Sequence, residues 1–324
     1  MPRSGSINPN QPDLPAPLSS VFITGATGFV GQQLVTTLAE QGHKVRAMVR
    51  PGKVRDKRIR SDCEQVPVGI TDVDGLQSIL AGCDAVIYCA GSVRGRGPDD
   101  FSVANIDGVE AMLTALGRVP DAPPLLLISS LAASRPQLSD YAYSKHAGEQ
   151  LLLGKPSMAW TIIRPPALYG PGDREMLPLL KMARRGLLIH AGPADQRLSF
   201  LHVHDLSRAV LAWLAAWQAC IHQTYAIDDG MPQGYDWPAI GAAVSTGNYR
   251  LFQLPRRLLD VAARANSAIS RYLPYQPMLT AGKVRELLQQ DWLCDNRKFA
   301  SVTGWQPILD LRSGVEQLFT TTGK

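Results

Sequence analysis

Metal-binding spacing is missing from this chain. Its five cysteines, Cys63, Cys83, Cys89, Cys220 and Cys294, are scattered over 324 residues with no C-x-x-C pair and no histidine-rich cluster beside them. That pattern argues against a Cys/His metal site, and no metal ligand is assigned; an odd number of scattered thiols fits a reducing cytoplasm better than a disulfide framework. Long apolar runs are missing too. The most apolar later stretch, Leu206 to Ile221, carries Arg208 and is too short and too interrupted to span a bilayer. Residues 1–18 hold five prolines among Ser, Asn and Gln and have no apolar core segment, so they read as a disordered tail and not as a signal peptide. Nor is there a tract of one charge sign: 33 Lys and Arg against 28 Asp and Glu leave a net charge of +5, with no aromatic-interleaved basic stretch, and nucleic acid is not an expected partner.

What the chain does have, from Val21 onward, is an alternation of short apolar runs with amphipathic stretches. This is the pattern of an α/β fold whose parallel sheet is covered by helices. Strands are predicted at Val21 to Thr24, Lys44 to Val49, Gln65 to Val68, Ala85 to Cys89, Leu125 to Ser129 and Trp160 to Arg164. Helices are predicted from Phe29 to Gln41, stopped by Gly42, and near 101–117, 141–153 and 206–221. After Arg164 the alternation weakens as Pro and Gly become frequent, which marks a second region over the mouth of the sheet, and Thr224 to Ile227 is a strand placed to return to the sheet edge.

Two clusters carry chemistry. In Val21-Phe-Ile-Thr-Gly-Ala-Thr-Gly-Phe-Val-Gly31 a strand runs into a turn with glycines at 25, 28 and 31 and then into a helix. Such a turn lets backbone approach a pyrophosphate, whose charge rests on the free N–H groups and positive end of the helix. The expected contacts are Gly25, Thr27, Gly28, Phe29 and Val30. Downstream, Tyr141 and Lys145 are four apart, on one helix face, so that the ammonium lowers the phenol pKa and makes Tyr141 a proton donor and acceptor. Arg50 closes the second strand, where an acid reads the ribose hydroxyls of NAD and an arginine the 2′-phosphate of NADP, so NADP is the expected cofactor and NAD the alternative. Of the basic residues that follow, Lys57, Arg58 and Arg60, like Arg55, read as a solvated loop, with Lys53 beside them. Ala90 and Gly91 close the fourth strand and are small enough for a cofactor to pass. Ser130, with Ser129 as the alternative, ends the fifth strand, where its hydroxyl can polarise a substrate carbonyl. Asn105 is placed either to hold a water of a proton relay or to pack its helix.

With these residues the sequence resembles an extended short-chain dehydrogenase/reductase of the NAD(P)-dependent epimerase/dehydratase superfamily. Thr24-Gly-Ala-Thr-Gly-Phe-Val-Gly31 matches the group's TGxxGFxG turn and Tyr141 with Lys145 its YxxxK. Supporting matches are Cys89-Ala-Gly91, Ser129-Ser130, Arg164-Pro-Pro-Ala-Leu-Tyr-Gly-Pro-Gly172, Ser199-Phe-Leu-His-Val-His-Asp205 and Thr303-Gly-Trp-Gln-Pro307. The resemblance implies a Rossmann doubly wound parallel sheet over 19–170 and a smaller, mostly helical C-terminal substrate domain over 171–324, with roughly 200–230 returning to the first. It implies a Ser130/Tyr141/Lys145 hydride-transfer site, Lys145 on the nicotinamide ribose, and backbone after Pro165 on the carboxamide. Departures narrow it. Ala167 and Leu198 stand where sugar-nucleotide epimerases carry Asn and Arg, Leu131-Ala-Ala133 replaces the acidic pair of dehydratases, and Arg197-Leu-Ser-Phe-Leu-His-Val is more similar to the hydroxysteroid dehydrogenase and ketone reductase branch. Gly69 replaces an adenine-binding acid, which shifts adenine contacts to Ile70 and Asp72. His204 reads as structural or solvent-facing, and His202 as a buried hydrogen-bonding residue.

The expected activity is therefore NADP-dependent interconversion of a ketone and a secondary alcohol on a small apolar or acyl-type substrate, in the cytoplasm. An epimerase is the alternative, and a non-catalytic cofactor-binding subunit or redox sensor the second. Pro255 to Leu273 sets Leu258, Leu259, Ala262, Ala265, Ile269 and Leu273 roughly on one face, with Arg256, Arg257, Arg264 and Arg271 around it. The default for it is an ordinary amphipathic helix on a globule; the alternatives are a substrate channel or peripheral contact with an anionic membrane. Arg94 and Arg96, in a glycine-rich loop, are either an anion clamp for the substrate or a solvated loop. Helices 101–117 and 141–153 offer a face for a homodimer.

Overall fold

The computed structural model describes residues 19–52, 56–270, 272 and 275–321; the expected tail at 1–18, and Lys53, Arg55, Arg271 and Leu273, lie outside the described residues. The first half is built from β1 (Ser20–Thr24), α1 (Phe29–Glu40), β2 (Lys44–Val49), β3 (Glu64–Pro67), α2 (Val73–Leu80), β4 (Ala85–Tyr88), α3 (Pro98–Ser102), α4 (Gly108–Leu116), β5 (Leu125–Ile128), α5 (Asp140–Leu153) and β6 (Trp160–Arg164). The inner strands β1, β4, β5 and β6 are buried almost throughout, as a sheet covered on both sides requires. In β1, Val21 and Ile23 pack with Leu34 and Leu38 of α1 on one side, while Phe22 packs with Leu76 of α2 and Met112 of α4 on the other.

The remaining elements are β7 (Ala167–Tyr169), α6 (Leu177–Arg184), β8 (Leu187–His190), β9 (Arg197–Leu198), β10 (Phe200–His202), α7 (Val203–Ala216), β11 (Gln223–Ala226), α8 (Trp237–Val244), β12 (Arg250–Gln253), α9 (Arg256–Ile269), α10 (Ala281–Leu287), β13 (Asp291–Trp292), α11 (Arg297–Thr303) and α12 (Leu311–Thr321). The main sheet has seven strands in the order β11-β6-β5-β4-β1-β2-β3, every neighbouring pair parallel. Strand order reverses between β4 and β1, and a ligand crevice opens there at the carboxyl ends. The second region has its own core, in which Tyr169, Phe200 and Tyr235 meet Leu180, Ile240 and Val315. Three two-stranded parallel pairs, β10 with β7, β12 with β8 and β13 with β9, stitch this region together.

The segment predicted as one helix over 101–117 is broken. A π-helical turn, Val103–Asp107, separates α3 from α4 and carries Asn105. The helix predicted over 206–221 begins earlier, at Val203, and ends at Ala216, with a 3-10 turn through Cys220. Strand β4 stops at Tyr88 because the next two amide groups leave the ladder: Cys89 N and Ala90 N both donate to the Thr24 hydroxyl, at 3.1 Å each. Among the described residues no helix is long and apolar enough to cross a membrane.

Candidate active site

The glycine turn after β1 is packed backbone on backbone. Gly25 has φ +67°, and a Cβ there would lie 2.7 Å from Ala90 N; one on Gly31 would lie 2.1 Å from the Gly25 carbonyl oxygen. Gly28 is exposed, donates to the Gly25 carbonyl at 2.9 Å and stands as N-cap of α1 with no capping side chain. The first-turn N–H groups of α1 are thereby left for an anion, and the cradle fits the pyrophosphate of a dinucleotide. Thr27, Phe29 and Val30 are half-buried around it, and Phe29 lies near Gly172, past β7.

Arg50 is exposed at the end of β2. Arg58, read from the sequence as a member of a solvated loop, is exposed and also reaches the turn: its guanidinium donates to the Thr27 carbonyl at 3.3 Å and is held by Asp56 at 2.5 Å. The sequence offered a basic run but no signal for which member would touch the turn. On the adenine side, half-buried Ile70 packs on Gly108, and exposed Asp72 uses one carboxylate oxygen to cap α2, accepting from Gly75 N at 3.0 Å.

The candidate catalytic groups meet at the ends of β5 and β4. Ser139 caps α5 by accepting from Ala142 N at 3.0 Å, and the helix then presents Tyr141 and Lys145 one turn apart. Ser130, just past β5, stands close enough to Tyr141 for its hydroxyl to lower the phenol's pKa. Ser129 points elsewhere, with its hydroxyl buried and without a hydrogen-bond partner. The Lys145 ammonium is buried and donates to the Ile128 carbonyl at 3.0 Å. A Cβ on Gly91 would lie 3.0 Å from Asn105 Oδ1 and 3.2 Å from Lys145 Nζ, so glycine is what lets both approach the end of β4. Asn105 is buried and holds the loop beyond Gly91: it accepts from Ser92 N at 3.2 Å and donates to Ser92 O at 3.1 Å and to the Ser144 hydroxyl at 2.9 Å. Both amide protons are thus taken by protein partners. A π turn at such a site is a common device for turning one side chain out of helical register. Pro165 is buried, and its carbonyl accepts from Leu131 N at 2.8 Å, tying β6 to the segment after Ser130.

The electrostatics differ from the sequence expectation in one respect. Burial pushes the Tyr141 phenol up to about 12, the nearby Ser130 hydroxyl draws it back, and the charge of Glu286 raises it further. Lys145 does not depress it here, because the ammonium is turned to Ile128 and desolvation of the phenol prevails. The ammonium is itself lowered to about 8 by burial, against the raising effect of Cys89 and Glu149.

Several supporting residues were missed. Glu149, one turn beyond Lys145 and almost wholly buried, forms a two-pronged ion pair with Arg164 of β6, its Oε1 accepting from Arg164 Nε at 2.9 Å. Its i, i+4 spacing from Lys145 was the available signal. Glu286 of α10 is buried, accepts from the Ser139 hydroxyl and pairs with Lys283 at 2.9 Å, so the C-terminal region grips the cap of the catalytic helix. In the loop left open between an anion clamp and a solvated loop, Arg94 pairs with Glu175 at 2.6 Å and Arg96 with Asp100 at 3.5 Å. His202 is buried, with Nδ1 accepting from His204 N at 3.3 Å and Nε2 unpartnered, and burial lowers it to about 4. His204 is half-buried at the start of α7.

A seven-stranded parallel sheet with this turn and this Ser/Tyr/Lys grouping defines an NAD(P)-dependent Rossmann enzyme of the extended short-chain dehydrogenase/reductase type. The chain belongs to the NAD dependent epimerase/dehydratase family, whose model matches residues 21–227. It is similar to the ceramide reductase of Caulobacter vibrioides, with 34% identity over 275 residues, 84% of this chain and 85% of that one. It is also similar to the 2-alkyl-3-oxoalkanoate reductase of Stenotrophomonas maltophilia, with 28% identity over 236 residues, 65% of this chain and 71% of that one. Among solved structures, a UDP-glucuronic acid 4-epimerase from Bacillus cereus in complex with UDP-glucuronic acid and NAD aligns with a TM-score of 0.68 and 18% identity over 93% of this chain and 98% of its own. That last likeness concerns the fold alone.

Proposed function

We propose that this chain is an NADP-dependent oxidoreductase that interconverts a ketone and a secondary alcohol on an apolar or acyl-type substrate. The observation that carries the reading is that Tyr141 and buried Lys145 stand one turn apart on α5, with Ser130 beside Tyr141 at the carboxyl edge of the sheet. When bound, the dinucleotide supplies or accepts the hydride at the carbinol carbon. Ser130 donates a hydrogen bond to the substrate oxygen and so polarises the carbonyl. Tyr141, protonated at neutral pH, gives its proton to that oxygen in reduction and recovers one from solvent; in oxidation the transfer runs the other way. Lys145 holds the cofactor ribose with the charge it keeps beside Ile128. Gly25 to Val30 cradle the pyrophosphate, and Arg50 with Arg58 faces the 2′-phosphate of NADP.

Support for the substrate class comes from the relatives named ceramide reductase and 2-alkyl-3-oxoalkanoate reductase. It comes also from exposed Ala167 and half-buried Leu198, which offer no polar group to a sugar diphosphate. The test is NADPH oxidation by the full chain in the presence of long-chain 3-oxo compounds. Turnover that consumes NADPH supports the reading; a cofactor that stays bound while a carbinol centre inverts, with no net redox, overturns it in favour of an epimerase.

A further inference from the structure

Helix α9 is turned the wrong way for an ordinary amphipathic helix on a globule. Of its fourteen residues only Leu259 and Ala263 are buried, against Leu254, Leu279, Val284 and Leu288. The other apolar residues face out: Leu258 is 60% exposed, Val261 65% and Ile269 49%, and Tyr272, just beyond the helix, is 87% exposed. Ala262, Ala265 and Ala268 are exposed between them. At 3.6 residues per turn these outward positions share an arc of about 120°, a continuous apolar ridge set apart from the inward face. Sequence periodicity alone merged the two faces, because Leu259 lies next to Leu258.

The charges around the ridge are as informative as the ridge. Arg257 and Arg264, seven residues apart, are exposed along one of its edges. Asp260 of this helix is already paired with Arg256, at 3.6 Å. In an antiparallel pairing of two copies the same arginine edge of each helix would lie against its counterpart, which disfavours a second copy as the occupant. A surface rich in phosphate complements the edge and accepts the ridge. Strand β12, which leads into the helix, exposes Leu251 and Phe252 as well. An open cleft of about 560 Å³ with Leu254, Pro255 and Leu288 in its wall lies at the start of the helix.

We propose that α9 is a membrane-docking helix: its ridge of Leu258, Val261, Ala265 and Ile269 enters the interfacial layer of an anionic bilayer, with Arg257 and Arg264 at the level of the headgroup phosphates. This goes beyond the reductase reading and needs neither cofactor nor turnover.

The experiment is flotation of the full-length protein with vesicles of phosphatidylcholine alone and of phosphatidylcholine with an equal part of phosphatidylglycerol. Binding is expected to the anionic vesicles, weakened by high salt. Both Val261→Asp/Ile269→Asp and Arg257→Glu/Arg264→Glu should lower that binding by at least about tenfold. All four positions are exposed, so thermal melting and NADPH binding should stay as in the wild type. Leu258→Trp should show a blue-shifted emission on anionic vesicles only. Failure of the wild type to float, equal binding by the variants, or a dimer in light scattering that Val261→Asp dissolves would each overturn the proposal. Loss of NADPH turnover with vesicle binding intact would overturn the reductase reading and leave this one standing.

Discussion

The Lys145 ammonium lies 3.0 Å from the Ile128 carbonyl, a buried cation tied to the last residue of β5. Burial lowers it from 10.5 to about 8, so between about pH 8 and 10.5 the folded chain binds fewer protons than the unfolded chain. Stability therefore rises with pH through that window, and the full cost of the buried charge is present below it. Lys145→Met removes this dependence. In thermal melts of the protein without cofactor, the stability of the variant relative to wild type should be greatest near neutral pH and shrink above about pH 8; a pH-independent difference would contradict the assignment.

With the Tyr141 phenol pushed up to about 12, it stays protonated across the neutral range, so reduction has its proton donor in place without a titration step there. Tyr141→Phe is expected to lower the reductive kcat by about 10²–10⁴-fold, and Ser130→Ala by about 10²–10³-fold. NADPH binding, followed by fluorescence, should remain in both.

Arg58 reaches the glycine turn from the loop after β2, and Arg50 stands exposed at the end of that strand. Arg50→Ala should weaken NADPH binding by about 10–100-fold, the loss of one charge-assisted hydrogen bond, and leave NADH binding unchanged. Arg58→Ala should give a smaller loss in the same direction, since Asp56 already shares that guanidinium. Titration calorimetry with each cofactor measures both, and an unchanged NADPH preference in the double variant would remove Arg50 and Arg58 as the readers of the 2′-phosphate.

Glu149 is nearly inaccessible and its carboxylate is answered by Arg164. Arg164→Met leaves that charge buried and alone, so urea denaturation should show a loss of about 3–5 kcal/mol. Glu149→Gln combined with Arg164→Met should recover most of it, because what costs is the unpaired charge and not the absent pair.

Strands β2 and β6 were legible to the residue, Lys44 to Val49 and Trp160 to Arg164, because each is an apolar run bounded by charge or turn residues. The return of the chain to the sheet at β11 was legible for the same reason, one residue out of place. The π turn at Asn105 was not: no local breaker precedes Gly108, and the bulge is held by Ser92 and Ser144, which only the fold brings near. The strands β8 and β12 escaped notice because each is four residues long and finds its one partner across a large gap in sequence. The placement of Tyr141 and Lys145 on one helix and of Ser130 just past β5 could be read, from their i, i+4 spacing and from the end of an apolar run. Glu286 and Arg58 could not, since nothing in the sequence around either says which distant backbone or hydroxyl it will meet.

The central claim is that Ser130 and Tyr141 act on a ketone at the expense of NADPH. The most direct measurement is transfer of deuterium from NADPH deuterated at both C4 positions of the nicotinamide to a long-chain 3-oxo substrate, read by mass spectrometry for wild type and Tyr141→Phe. One deuterium at the carbinol carbon is expected for each NADPH consumed in the wild type, and almost no labelled product in the variant over the same time. Product without deuterium, or equal labelling by Tyr141→Phe, would contradict it.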